Sequence, residues 1–221
     1  MSSAIVDTHP VTSYEFADVI STREQLREHM GFPNQGAIDK EITIIDPHAK
    51  NFIEHSPFML IATSGAEGRV DVSPKGDPAG FVKVLNEKTL LIPDRPGNRR
   101  LDGFENILAN PHVGLLFLVP QRDETLRVNG KAMLIRDRAL LETMTWRGKT
   151  PSIATAVEVE ELYFHCGKAF IRSKLWKPEE WGDVSDIATF GKILLDQTKA
   201  TDTTADQIDC YLEDAYKKNL Y

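Results

Sequence analysis

The sequence predicts a mainly β (β+α) protein, an antiparallel barrel with helical extensions at both ends. Three observations carry this. Between about residues 58 and 165 the chain reads as six or seven short strands with few helices between them. Turn signals such as Ser64-Gly65-Ala66-Glu67-Gly68 and Asn86-Glu87-Lys88 separate neighbouring strands too closely for parallel crossovers. Helical periodicity is concentrated towards the two ends of the chain.

The elements follow in order. Thr22–Met30 (TREQLREHM) is rich in helix formers and stops at Gly31-Phe32-Pro33. After a loop, Asp46 and Pro47 supply the N-cap and first helical position of a helix running to about His55. Phe58–Thr63 is an apolar strand, and Arg69–Ser73 (RVDVS) alternates as a half-buried strand does. Phe81–Leu85 and Thr89–Pro93 form the next pair. Leu101, Phe104 and Leu108 recur at helical spacing before Asn110-Pro111 ends the run, predicting a helix over 101–109 with those three residues inward. His112–Val119 reads as a fully buried strand. Leu126–Arg136 follows, with Asn129-Gly130 marking a bulge or turn. Arg138–Thr145 is a short helix and Ala154–His165 a long alternating strand. Two helical patterns close the sequence: Ile187–Gln197, with Phe190, Ile193 and Leu194 on one face, and Asp206–Lys217, with Ile208, Tyr211, Leu212 and Ala215. The expected division is a helical extension (1–56), a barrel (57–167) and a second helical extension (168–221).

Composition narrows the function. With 221 residues, 41% hydrophobic and 27% charged, the chain has material for one sizeable core. A net charge of −7 argues against nucleic acid or an anionic membrane as partner. The longest apolar run, VGLLFLV at 113–119, is too short to span a bilayer. No basic segment followed by an apolar one opens the sequence, and the two cysteines, Cys166 and Cys210, form no CxxC pair. A soluble cytoplasmic protein is expected. The six histidines lack acidic neighbours at ligand spacing, so no metal site is expected. His165 and Cys166 are adjacent on a strand and so point to opposite faces, which rules out an attacking pair and suggests a buried structural cysteine.

The segment PDRPGNRRLDGFENILANP, residues 93–111, sets a problem of charge. Arg95, Arg99 and Arg100 surround a Pro-Gly turn just before a helix, and like charges so close repel one another. Either the turn is simply solvated or an anion sits there. A phosphate suits the second reading: helix N–H groups, two guanidinium forks and the Asn98 amide would converge on it.

The order strand, turn, strand, PDRPGNRRLDGFENILANPHVGLLFLV, then ETLRVNG resembles the pyridoxamine 5′-phosphate oxidase-like family of FMN-binding split barrels, over roughly residues 55–165. Asn98-Arg99-Arg100 stand at the family's Ser-Arg-Lys positions, Asn110-Pro111 at its Asn-Pro, and Arg127-Val128-Asn129-Gly130 at its Arg-Val-x-Gly. The resemblance implies a six-stranded antiparallel split β-barrel, a homodimer, and FMN in the groove between subunits. It implies that Arg99 and Arg100, with Asn98 and Arg95 beside them, hold the FMN phosphate. Asp94 then lines the cofactor, Thr125 stands where a Gln reaches the ring, and Ser73, Lys75 and Gly76 lie along the isoalloxazine. The oxidase's strand Arg and its Arg-x-His motif have no counterpart at matching positions, so the implied subgroup is divergent and its substrate is not a pyridoxine phosphate.

The basic segment HCGKAFIRSKLWKPEEW (165–181) places Arg172 and Trp176 one helical turn apart, either as packing or as a further contribution to the cofactor pocket. Lys75 is either an exposed loop lysine or a charge near the flavin N1–O2 region. No acid, base or nucleophile constellation stands out, as expected where a cofactor carries the chemistry. The implied function is an FMN-dependent oxidoreductase acting on a small organic molecule. The alternatives are a non-catalytic FMN-binding or flavin-storage protein, or a split barrel using a deazaflavin or haem.

Overall fold

The computed structural model describes residues 14–221, which form two compact units dividing between Asp39 and Lys40. The first holds helices α1 (Arg23–Met30) and α2 (Gln35–Asp39). Thr22 and Gln25 close a capping box on α1, and Gly31, at φ 73°, ends it in a conformation that glycine adopts without steric cost. The five-residue α2 falls where the sequence suggested a loop.

The second unit opens with α3 (Pro47–His55), capped by the Asp46 carboxylate accepting from Ala49 N–H at 2.7 Å. The strands are β1 (Phe58–Ser64), β2 (Val70–Gly76), β3 (Lys83–Asn86), β4 (Thr89–Pro93), β5 (His112–Leu118), β6 (Thr125–Ile135) and β7 (Ala154–His165). Between them lie α4 (Asp102–Ala109) and α5 (Arg138–Glu142), and after them α6 (Lys168–Ser173), α7 (Phe190–Thr198) and α8 (Ala205–Lys218). All seven strands join one antiparallel sheet in the order β2-β1-β5-β6-β7-β4-β3. The sheet is a split barrel with one strand more than the six expected. It is wrapped around a single main core from Ile53 of α3 through Met59, Leu90, Leu115, Phe117, Leu126, Val128 and Val157, all essentially buried.

Two local features depend on single residues. The pairing of β6 with β7 shifts register between Asn129 and Gly130, so the predicted bulge is present. A Cβ at Gly130 would sit 2.0 Å from the Glu158 carbonyl oxygen, so only glycine permits this approach of the strands. Helix α4 starts one residue later than the spacing suggested. Leu101 becomes its N-cap at φ 62°, half exposed, and Leu108 is 77% exposed. Ile107 is the residue that α4 buries.

Three other expectations are corrected. Helix α6 ends at Ser173, with Lys174 left-handed, so Arg172 and Trp176 do not share a helical face. Trp176 instead stacks on Phe170, centroids 5.6 Å apart, and donates to the Arg122 carbonyl at 2.8 Å. Cys166 follows β7 rather than ending it and is exposed, as is Cys210. On the closing helices Phe190 and Tyr211 are exposed, leaving Ile193, Leu194, Ile208, Leu212 and Ala215 as the half-buried face. Among the described residues no helix is long and apolar enough to cross a membrane.

Candidate functional site

A cavity of about 800 Å³ opens between β1, β2, the end of β4, the turn 94–101, α4, and the segment 149–153 leading into β7. Period-two alternation decides what β2 contributes. Asp71, Ser73 and Lys75 face the cavity, while Val70, Val72 and Pro74 face outward and are exposed. Gly76 has the parity of the outward set and is not part of the cavity wall. The apolar part of the wall comes from Ile61, Ile92, Phe104 and Ile107.

Five cationic side chains line the cavity, Lys75, Arg95, Arg99, Arg100 and Lys149, against three carboxylates, Asp71, Asp94 and Asp102. Most of the cations are already committed. Lys75 Nζ lies 3.3 Å from Asp94 Oδ1 and 5.5 Å from the centroid of the Phe104 ring. Arg95 Nε donates to Asp77 Oδ2 at 2.6 Å, and its guanidinium also donates to the Met144 carbonyl at 3.0 Å. Arg100 Nε donates to Asp102 Oδ2 at 2.8 Å. That hydrogen bond holds the Asp102 carboxyl below its usual range and raises the already high pKa of Arg100. Among the described residues, the side chains of Arg99 and Lys149 have neither an ion pair nor a hydrogen bond. Arg99 is also held at φ 60°, a left-handed backbone that a non-glycine residue adopts at a cost.

The predicted anion grip is therefore rearranged. Arg99 faces the cavity unpaired, but the first turn of α4 brings its own anion, Asp102, which takes Arg100. Asn98 was expected to donate, yet its Oδ1 accepts from the Arg100 backbone N–H at 3.0 Å, folding the turn onto itself. Ser73 donates to Asp71 Oδ2 at 2.7 Å.

Of the residues singled out from the sequence, the cavity gathers Ser73, Lys75, Asp94, Arg95, Asn98, Arg99 and Arg100. It does not gather Gly76, Thr125, Arg172 or Trp176. Thr125 is buried at the start of β6, opposite Leu118 of β5 and His165 of β7. Near that end of the sheet Arg127 donates to the Tyr163 hydroxyl at 2.9 Å. Burial, then Arg127 and Lys40, hold the pKa of His165 below its ordinary value.

Sequence reasoning missed Tyr221 and the segment 149–153. The Tyr221 phenol donates to Asp77 Oδ1 at 2.7 Å, which raises its pKa. No local motif marks either. Among the described residues no group of His, Cys, Asp and Glu side chains is arranged to hold a metal ion.

The chain is similar to several proteins of known structure over part of its length. Among solved structures, HupZ of Group A Streptococcus is 23% identical, covering 53% of this chain and 91% of that one with a TM-score of 0.43. A protein from Clostridium acetobutylicum, related to general stress protein 26 and of the pyridoxinephosphate oxidase family, is 16% identical, covering 53% and 85%, TM-score 0.41. An FMN-binding protein from Syntrophomonas wolfei is 9% identical, covering 65% and 94%, TM-score 0.42. No curated protein matches. The family model of pyridoxamine 5′-phosphate oxidase matches residues 45–166, from the end of the segment before α3 to the turn after β7. That is more than half of the sequence, and the chain belongs to the pyridoxamine 5′-phosphate oxidase family.

Proposed function

We propose that the cavity is a flavin mononucleotide site and that the chain is an FMN-dependent oxidoreductase for a small organic molecule, working as a cytoplasmic homodimer. The observation that carries this reading is the unpaired Arg99 on the wall of a cavity with an excess of cations, in a chain whose net charge is −7. A dianionic phosphate would satisfy it, and the Ile61, Ile92, Phe104 and Ile107 wall suits a flat aromatic ring. A volume of about 800 Å³ lies within the range of roughly 300–1,000 Å³ usual for small-molecule and cofactor sites.

When bound, the flavin supplies hydride or electron transfer, and the protein supplies position, electrostatics and water exclusion. Arg99 would hold the phosphate. Lys75, shared with Asp94 and lying against Phe104, would set the charge beside the ring. The apolar wall would keep water from the reacting face. Thr125, Arg172 and Trp176 are outside their own chain's cavity; Thr125 is buried and Trp176 is held by Phe170 and Arg122, so of the three only the exposed Arg172 would be available to a partner's cavity in a homodimer. Two free cysteines suit a reducing compartment.

The test is the absorption spectrum of freshly purified protein, with mass identification of any chromophore released on denaturation. FMN released at near one per chain supports the reading. A colourless protein that takes up no added FMN overturns it, and release of a deazaflavin or haem replaces FMN with that cofactor. Bound FMN without turnover of nicotinamide donors, oxygen or small oxidants would leave a flavin-storage protein.

A further inference from the structure

Beyond α8 the chain returns to the cavity wall at Tyr221. There a single carboxylate gathers two donors. Asp77, whose side chain is only 1% exposed, accepts from the Tyr221 hydroxyl on one oxygen and from Arg95 Nε on the other, at 2.7 and 2.6 Å. Arg95 in turn donates to the carbonyl of Met144, just past α5. The guanidinium carbons of Arg95 and Arg147 lie 5.9 and 5.5 Å from the centroid of the Tyr221 ring. Four separate pieces of chain meet in this knot: the end of β2, the start of the arginine turn, the exit of α5 and the segment after α8.

The knot matters to the site because Arg95 opens the turn that presents Arg99. The Asp94 N–H bonded to the Ile153 carbonyl at 3.1 Å and the Asp94 carboxylate paired with Lys75 at 3.3 Å are the other anchors at that end of the turn. The hairpin of α7 and α8 is closed on itself, with Gly191 N–H donating to Asp209 Oδ1 at 2.6 Å. Tyr221 is thus positioned to act as its tether to the cavity.

The geometry points to Tyr221 as a positioning residue of the ligand site, acting through Asp77 and Arg95 on the turn that carries Arg99. This rests on the anion-binding reading of that turn. Coupling between two sites is reciprocal: if docking of Tyr221 tightens the anion, the anion tightens docking of Tyr221 by the same factor.

The experiment compares wild type, Tyr221→Phe, Tyr221→Ala and, as a control, Tyr216→Ala, an exposed position of α8. FMN affinity is titrated for each. Tryptic cleavage after Lys217 and Lys218, at the end of α8, is followed by mass with and without FMN. Both Tyr221 variants are expected to weaken FMN binding about tenfold, some 1.4 kcal/mol, with Tyr216→Ala unchanged. FMN should slow release of the peptide carrying Tyr221 from wild type and not from Tyr221→Ala. Equal affinities across the set overturn the proposal, as does cleavage indifferent to FMN in a wild-type protein that binds it. Circular dichroism identifies any variant that unfolds, and Tyr221→Phe, which deletes one hydroxyl, then carries the comparison. If wild type takes up no FMN, the flavin reading fails, and inorganic phosphate serves as the probe in the same comparison.

Discussion

Replacing Arg99 with alanine separates a ligand-facing arginine from one that the protein already uses. Arg99 enters no ion pair among the described residues, so turning its guanidinium to a phosphate breaks nothing. A hydrogen bond to a charged group contributes about 1.5–3 kcal/mol, so Arg99→Ala should weaken FMN binding roughly 10- to 150-fold. Alanine keeps a Cβ at φ 60°, so the backbone cost is common to both proteins and cancels. Arg100 differs, because its guanidinium is held by Asp102 at 2.8 Å and must leave that partner to reach a ligand. Arg100→Ala should therefore cost less, and Asp102→Asn, which frees Arg100 and removes a negative charge from the cavity, should tighten binding. The assay is quenching of FMN fluorescence on titration, at low and at high salt, with the arginine effects shrinking at high salt. If Arg99→Ala loses no more affinity than Arg100→Ala, or if Asp102→Asn weakens binding, the charge reasoning is refuted.

Three further outcomes concern the scaffold. Gly130→Ala places a Cβ 2.0 Å from the Glu158 carbonyl oxygen and must push β6 from β7, so it should destabilise by about 2–3 kcal/mol; a denaturation midpoint unchanged within error would show that the bulge has room to spare. Asp77→Ala leaves Arg95, itself only 17% exposed, without its carboxylate and should cost about 3 kcal/mol in urea unfolding, more than Asp77→Asn, which retains an acceptor; equal midpoints for the two would argue against a shielded pair. His165 titrates below its ordinary value of 6.5, so the unfolded chain binds its proton first. The stability His165 contributes is complete above that value and is lost as pH falls through it. His165→Gln should flatten the decline just below pH 6.5, and an unchanged pH profile would remove His165 as its source.

The parts of the fold readable from sequence are those fixed by local chemistry. The Asp46–Pro47 start of α3, the Gly31 stop of α1 and the Asn129-Gly130 bulge each follow from what one or two residues can do with their backbones. Strands β4 and β7 appear with the bounds that their apolar content suggested. Where pairing decides, local reading falls short. Strand β2 runs on to Gly76 because β1 pairs with it as far as Phe58. Pro74 is tolerated there because β2 is the edge of the sheet and its missing N–H is not needed. The inward face of α4 was misread for a related reason. The left-handed Leu101 cap moves the start by one residue, and nothing in the spacing of Leu101, Phe104 and Leu108 reveals that.

The site divides along the same line, and the division bears on what it can bind. Three arginines around a Pro-Gly turn are visible in the sequence as an excess of charge, but the amount of that charge left for a ligand depends on residues brought in from elsewhere. Asp77 reaches Arg95 from the end of β2, and Lys75 takes Asp94. Asp102 takes Arg100 from two residues along, in the very turn of helix expected to be open to a phosphate. The effect is to convert a broadly basic turn into a few unsatisfied positions, Arg99 on the turn and Lys149 on the segment 149–153. A wholly uncompensated cluster would attract any polyanion. On the proposed reading, a cluster neutralised pair by pair, with Arg99 and Lys149 left over beside an apolar wall, would favour a ligand that joins a phosphate to a flat hydrophobic body. Selectivity would then come from the carboxylates as much as from the arginines, which is why exchanging Asp102 is as informative as exchanging Arg99.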